Sequence, residues 1–511
     1  MGDLGDRAWA RLQAWEGDDV GRRIWEKDAT VWADPDTPEI TNRLGWLDLP
    51  SRMSARVGEW HALAASVAAR GVTDVVLLGM GGSSLAPEVF DAIVPTDGPV
   101  LTVLDTTHPD AIADVTARLD PGTTVFVVSS KSGGTLETLS LFRHFWAWQS
   151  AAGETPGDAF VAVTDPGSGL AKMAEDRGFL ATCFADPHVG GRFSALSDFG
   201  MVPFALSGGD TAALLEIAGR MEAACGPDVP PTAHVGLDLG AWIGEATLAG
   251  RDKLTIVTSA SLGAFPAWWE QLLAESTGKE GTGTVPVPEP SLRAPEAYGD
   301  DRIFLVYQLE EDPPVPGVEA LEEAGFPVRI LHLRTRHEIA SEMYRAEFAV
   351  ATVGAVLCIN PFDQPDVEAA KVSARALMEG DAEDLALSFT DLDGLEPHRG
   401  DYLAVMAYIP MTDATVAHLD RAAAALGEAH GVPVTVGFGP RFLHSTGQLH
   451  KGGPATCVAI QVLDKPTAHL PIPESDLDFG AVIRAQADGD AAVLIERGRR
   501  VARVALDELP S

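Results

Sequence analysis

Over most of the chain, short apolar runs alternate with helix-length amphipathic stretches. VVLL (75–78), LTVLD (101–105), VFVVS (125–129) and FVAVT (160–164) are four or five residues long and rich in β-branched side chains, which predicts strands buried on both faces. LTIVTS (254–259), IFLVYQL (303–309) and VRILHL (328–333) repeat the pattern after GPDVPPT (226–232), a proline-rich stretch that reads as a linker. YLAVMAYIP (402–410), VPVTVGFG (432–439) and CVAIQVL (457–463) form a third group, with a helix expected over TVAHLDRAAAALGEAHG between the first two. This alternation predicts an α/β architecture of doubly wound parallel sheets. Two tandem domains are the economical division, with the third group an excursion of the second domain. Residues 1–50, with Trp9, Leu12, Trp15, Ile24 and Trp25 at helical spacing, read as a packing surface. The expected boundaries are a helical wrapper at 1–55, a first domain at 56–225, a second at 234–380 and a C-terminal α/β region at 381–511. Residues 480–511 read as helical and peripheral, and the proline-rich loop 283–299 as a site surround or spacer.

Composition narrows the function. With 511 residues, 74 acidic and 37 basic, the formal charge is −37, so the surface repels nucleic acid and anionic membranes. Four scattered cysteines, Cys183, Cys225, Cys358 and Cys457, have no metal or disulfide spacing, and fit buried free thiols in a reducing compartment. The N-terminus is acidic where a signal peptide needs positive charge, and no segment has the apolar length of a membrane span. A cytoplasmic location is expected.

Two loops carry the chemistry. VVLL runs into GMGGSSLAP, where Gly79, Gly81, Gly82 and Ser83 separate a strand from a helix, a place suited to an anion. Gly79-x-Gly81-x-x-Ser84 also approximates a dinucleotide fingerprint, with Asp105 ending the next strand near the usual ribose-binding distance. A nicotinamide-dependent dehydrogenase is therefore one reading. VFVVS, however, leads into a second hydroxyl-rich loop, SSKSGGTLET, in which Ser130, Lys131, Ser132 and Thr135 offer three hydroxyls and a cation, and Gly133 and Gly134 supply backbone freedom. A dinucleotide domain has no use for that loop. No GxxxxGK[ST] occurs. A small phosphorylated metabolite fits both loops.

With GGRFSALSDFG (190–200), EQLLAESTGKEG (270–281) and NPFDQPDVEAAK (360–371), the two loops resemble phosphoglucose isomerase, a family of the sugar-isomerase (SIS) fold group. WEKDATVW and HSTGQLHKGG (444–453) extend the likeness over most of the chain, and it is nearest to the isomerase half of bacterial fusions with transaldolase. In stand-alone members the histidine motif precedes the lysine motif; here QLHKGG follows NPFDQPDVEAAK.

The resemblance implies two tandem SIS-type domains and an aldose–ketose isomerase that interconverts glucose 6-phosphate and fructose 6-phosphate, the partner being a small sugar phosphate. In EQLLAES, Gln271 and Glu275 lie four apart on one helical face beside Trp268 and Leu272, surroundings that favour a working general base. The family match makes Glu275 the base and Gln271 a positioning amide. It gives Arg192 the enediolate, His450 ring opening with Lys371 at the ring oxygen, and His444 the fallback. Gly82, Ser83, Ser130, Lys131, Ser132 and Thr135 are the implied phosphate ligands. Asp363 and Gln364 read as turn residues. No cofactor or metal is expected, and members of the family commonly form homodimers. A non-catalytic sugar-phosphate sensor on the same fold remains an alternative. An aminotransferring isomerase lacks its N-terminal cysteine, since residue 2 is Gly2.

Overall fold

The computed structural model describes residues 2–153, 155–366 and 387–510. The first sheet contains β1 (Asp74–Leu78), β2 (Val100–Leu104), β3 (Thr124–Ser129), β4 (Phe160–Thr164) and β5 (Ala181–Phe184), in the order β2-β1-β3-β4-β5. The second contains β6 (Lys253–Thr258), β7 (Val285–Pro288), β8 (Arg302–Leu309) and β9 (Val328–Leu333), in the order β7-β6-β8-β9. The third contains β10 (Tyr402–Tyr408), β11 (Val434–Phe438), β12 (Cys457–Leu463) and β13 (Arg500–Val504), in the order β11-β10-β12-β13. Every strand pairing in these sheets is parallel. In each sheet the opening strand lies between the second and third, so the winding direction reverses beside it and leaves a crevice at the carboxyl ends.

The apolar runs are explained by burial on two sides. Val75 and Leu77 face a large core that also contains Leu254, Leu305 and the N-terminal Leu12 and Ile24, so the first two sheets share one interior with the wrapper. Val76 and Leu78 face a second core, closed in part by Ile472, Phe479 and Val482. The third sheet has its own strands; one of its connections packs on the first sheet, and one face packs on Ala274, Val285 and Val287 of the second.

Three strands escaped the hydrophobic pattern, and all are sheet edges. β5 is four residues long, β7 reads VPVP and β13 reads RVARV. An edge strand tolerates proline and charge because one side makes no ladder. Residues 480–511 are accordingly not a peripheral helix: Phe479–Glu496 is largely buried and β13 completes a sheet. Similarly, Cys358 is exposed, although the other three thiols are buried.

Candidate active site

β1 and β3 are neighbours with Leu78 level with Val128, so the loops that follow them emerge side by side at the reversal point. In the first loop Gly81 has φ 55°. A Cβ there would lie 2.5 Å from the His444 carbonyl oxygen and 2.8 Å from Gln271 Nε2; at Gly82 it would lie 2.1 Å from the Gly191 oxygen. Glycine is required because backbone and polar groups close in on the loop. Ser194 Oγ donates to the Gly82 carbonyl at 3.1 Å, pinning the GGRFS turn against it. Ser83 is half-buried beside these contacts.

The second loop is braced internally. Ser130 Oγ lies 3.0 Å from Thr135 Oγ1 and accepts from the Gly133 amide at 3.2 Å. Ser132, exposed, accepts from the Gly134 amide at 3.3 Å. Lys131 turns away from these hydroxyls: its ammonium pairs with Asp165 at 2.7 Å and donates to the Pro187 carbonyl at 3.0 Å. Its side chain fastens the loop to the next crossover.

Across the crevice, helix Phe265–Thr277 starts with proline in its first turn and ends at Gly278. Its i, i+4 pair points inward as expected. Gln271 Nε2 donates to Glu275 Oε2 at 3.1 Å and to the His444 carbonyl at 2.8 Å, while its buried Oε1 has no partner among the described residues. Glu275, 12% exposed at its side chain, faces Arg192 Nη1 at 3.2 Å. Its polar neighbours are a guanidinium and an amide. The guanidinium is fixed on every side: Nε donates to Ser276 Oγ at 2.7 Å, Nη1 to Gln364 Oε1 at 2.9 Å, and Nη2 to the carbonyls of Pro361 and Asp363 at 2.6 and 2.9 Å. Burial lowers the Arg192 pKa from its ordinary value, with Glu275 opposing that fall. Lys279, which the sequence left without a role, is sealed beside it, donating to Asn360 O at 2.8 Å and to both Asp363 O and Oδ1 at 2.6 Å. Burial and the neighbouring Arg192 bring its pKa down to about 8. Asp363 thus accepts from both cations and Gln364 from Arg192.

The two histidines of HSTGQLHKGG part company. His450 is enclosed, Nδ1 lying 2.9 Å from Tyr402 OH and Nε2 3.0 Å from Thr446 Oγ1. Burial, with Lys451 and Arg499 nearby, lowers its pKa to about 3. Both ring nitrogens are used and the ring stays neutral, which removes it from proton exchange near neutral pH. His444 instead stands at the crevice. Its carbonyl takes the Gln271 proton, and its Nε2 lies 2.9 Å from Glu137 Oε1, two residues beyond Thr135. Its Nδ1 makes no hydrogen bond among the described residues. Gln486 Nε2 also donates to Glu137 Oε1, at 2.7 Å, and Thr107 Oγ1 to Gln486 Oε1, at 2.7 Å. Lys371 lies outside the described residues.

Asp105 is engaged by Ser84 Oγ at 3.2 Å and Arg441 Nε at 3.3 Å, so the carboxylate that suggested a ribose site serves protein contacts. Among the described residues no group of three or more His, Cys, Asp or Glu side chains is placed to hold a metal ion, and no helix is long and apolar enough to cross a membrane.

The model of the phosphoglucose isomerase family matches residues 48–287, spanning both hydroxyl loops, GGRFS and Glu275. A glucose-6-phosphate isomerase from Thermus thermophilus is 30% identical over 403 residues, 67% of this chain and 92% of that protein. One from Rubrobacter xylanophilus is 29% identical over 369 residues, 60% of this chain and 83% of that protein. Among solved structures, a hypothetical protein from Thermus thermophilus has a TM-score of 0.64 at 28% identity, covering 73% of this chain and 96% of its own.

Proposed function

The chain belongs to the phosphoglucose isomerase family, and from that premise we propose that it interconverts glucose 6-phosphate and fructose 6-phosphate through a cis-enediolate. The observation that carries the reading is one amide: Gln271 Nε2 bonds both Glu275 Oε2 and the His444 carbonyl, against the Gly81 loop. The carboxylate, the turn that carries the histidine and the first glycine loop meet at that amide, which supports one shared site.

In this reading the phosphate sits on Ser130, Ser132, Thr135, Ser83 and the amides of the two loops, with Lys131 contributing its backbone N–H. His444, its Nε2–H held by Glu137, uses Nδ1 to exchange the proton between the anomeric hydroxyl and the ring oxygen, and the sugar opens. Glu275 then removes the proton from C2 of the aldose and returns it to C1, while a proton passes from O2 to O1. Gln271 Oε1 accepts a sugar hydroxyl. Arg192 and Lys279 set the positive potential in which negative charge develops on the enediolate oxygens. A cytoplasmic setting fits four cysteines that form no disulfide.

The direct test follows glucose 6-phosphate appearance from fructose 6-phosphate, together with deuterium uptake at C1 and C2 in heavy water. Turnover with solvent exchange is expected. Tight binding without turnover or exchange would leave a sugar-phosphate sensor in its place.

A further inference from the structure

His444 lies on the turn Arg441–His444, which follows β11, whereas the phosphate loops belong to the first sheet. Something has to fix that turn across the crevice. Arg441 is placed to do it. Its guanidinium forks onto Glu88, Nη1 donating to Oε1 at 3.2 Å and Nη2 to Oε2, while Nε lies 3.3 Å from Asp105 Oδ2. Glu88 is in the first turn of helix Leu85–Ile93, directly after the first glycine loop, and Asp105 directly follows β2. Asp105 also accepts from Ser84 of that same loop. The Arg441 side chain is 14% exposed, Asp105 10% and Glu88 33%, so the single contact to Asp105 is desolvated, and the one to Glu88, partly open to solvent, is bidentate. Glu270, one residue before Gln271, faces the same guanidinium electrostatically and makes no hydrogen bond among the described residues. Burial pushes its carboxyl up to about 8. Glu88 and Asp105, from two separate elements, therefore hold a single cation delivered by the third sheet.

We propose that Arg441 is a positioning residue: by clamping the His444 turn to Glu88 and Asp105, it holds the imidazole at the distance from the sugar ring that ring opening requires. The proposal rests on the isomerase reading and on the role given there to His444. The turn has two other polar ties to the opposite wall, and both are made by His444 itself, through its carbonyl to Gln271 and its Nε2 to Glu137. Without Arg441 the turn keeps its apolar anchor, Phe442 packed on Tyr408, but among the described residues it loses the one side-chain polar tie to the first sheet that the histidine does not itself make, and a displacement of about 1 Å costs on the order of 100-fold in rate.

The test separates ring opening from proton transfer. Arg441→Met, Arg441→Lys, His444→Asn and Glu275→Gln are compared in three measurements. These are exchange between the α and β anomers of glucose 6-phosphate by exchange NMR, isomerisation, and the affinity for a five-carbon phosphorylated aldonic acid, an acyclic mimic of the enediolate. Arg441→Met is expected to slow anomer exchange and isomerisation by roughly 10- to 100-fold, with KM and the affinity for the acyclic acid within about threefold. Arg441→Lys recovers part of the loss. Glu275→Gln keeps anomer exchange. Normal anomer exchange in Arg441→Met overturns the proposal, and so does an equal loss of exchange and of acyclic-acid affinity. Should Arg441→Met fail to fold, the pair Glu88→Gln and Asp105→Asn removes the partners and keeps the cation, with the same split expected and the same results counting against it. Normal anomer exchange in His444→Asn instead strikes the histidine assignment, and an inactive wild type strikes the isomerase reading.

Discussion

Replacing Glu275 with glutamine removes a proton acceptor at nearly constant shape, and the structure sets what else changes. Gln271 Nε2 donates to the carboxylate at 3.1 Å, and Arg192 Nη1 stands 3.2 Å from it as an ion pair. An amide has one oxygen, so it satisfies either neighbour and turns its NH2 toward the other. Gln271 can rotate to offer Oε1, but only by giving up its bond to the His444 carbonyl. Removing one member of a buried pair costs about 3–5 kcal/mol when the other charge is left bare. Arg192 here keeps Ser276, Gln364, Pro361 and Asp363 as acceptors, so the loss of stability falls to about 1–2 kcal/mol. The catalytic loss is larger: a general base is worth roughly 100- to 10,000-fold, about 2.7–5.4 kcal/mol of barrier. Turnover measured by the coupled assay from fructose 6-phosphate should fall by that factor, with KM within roughly tenfold because the phosphate loops are untouched. Deuterium uptake should fall in step. A variant that is folded and retains kcat within tenfold of wild type would falsify the assignment of the base.

Three further outcomes follow from named contacts. Ser132→Ala should raise KM by an amount equivalent to about 1–3 kcal/mol; Lys131→Ala, whose ammonium is committed to Asp165, should instead lower the unfolding temperature with less effect on KM, and steady-state kinetics beside thermal melts would show whether that order is reversed. Lys279 is charged below its pKa of about 8, so activity should decline as pH rises through that value, and Lys279→Arg should move the alkaline limb upward; a limb unchanged in the variant removes Lys279 as its source. His450 has its folded pKa lowered to about 3 from the ordinary 6.5, so its contribution to stability is complete above pH 6.5 and is lost as pH falls from there toward 3; urea midpoints in His450→Asn should depend less steeply on pH across that window than in wild type.

What was legible in the chain was what local pattern controls. Interior strands buried on both faces stand out as apolar runs, and each lies within about two residues of its expected place. β7 was hidden by its prolines and β13 by its arginines, since an edge position makes both tolerable. The hydroxyl loops and the Gln271–Glu275 pair were readable because glycine clusters and i, i+4 spacing are local facts. Lys131 was not, since its partner lies 34 residues away. The histidines illustrate the limit best: they are six residues apart in one motif, and only tertiary packing decides that His450 is buried against Tyr402 while His444 meets Glu137. A clue was present, because His444 precedes the helix Gly447–Gly452 and His450 is carried on its buried length. Glu137 and Gln486 could not have been paired from sequence, 349 residues apart.

The division of labour among the sheets gives this distribution a physical rationale. The first sheet contributes hydroxyls and amides at its reversal point, which suit a dianionic phosphate. The second contributes the carboxylate, on the helix after β6, and Lys279 just beyond that helix, while Arg192 reaches in from the turn after β5. The third contributes the imidazole, through the turn after β11, and the amide of Gln486 that orients its partner Glu137. In the proposed mechanism a base and a ring-opening acid serve successive steps on the same sugar, and an acid placed directly against the carboxylate would exchange protons with it instead of with substrate. Bringing them in on different sheets keeps them apart while Gln271 links one's carboxylate to the other's backbone. The cost of that arrangement is dependence on docking: shifting the third sheet by a fraction of a hydrogen-bond length would leave the phosphate loops and Glu275 intact while ring opening failed. Loss of anomer exchange before loss of phosphate binding is therefore the order in which weakening of that interface should appear during progressive denaturation, and the reverse order would mean that the histidine's position does not depend on it.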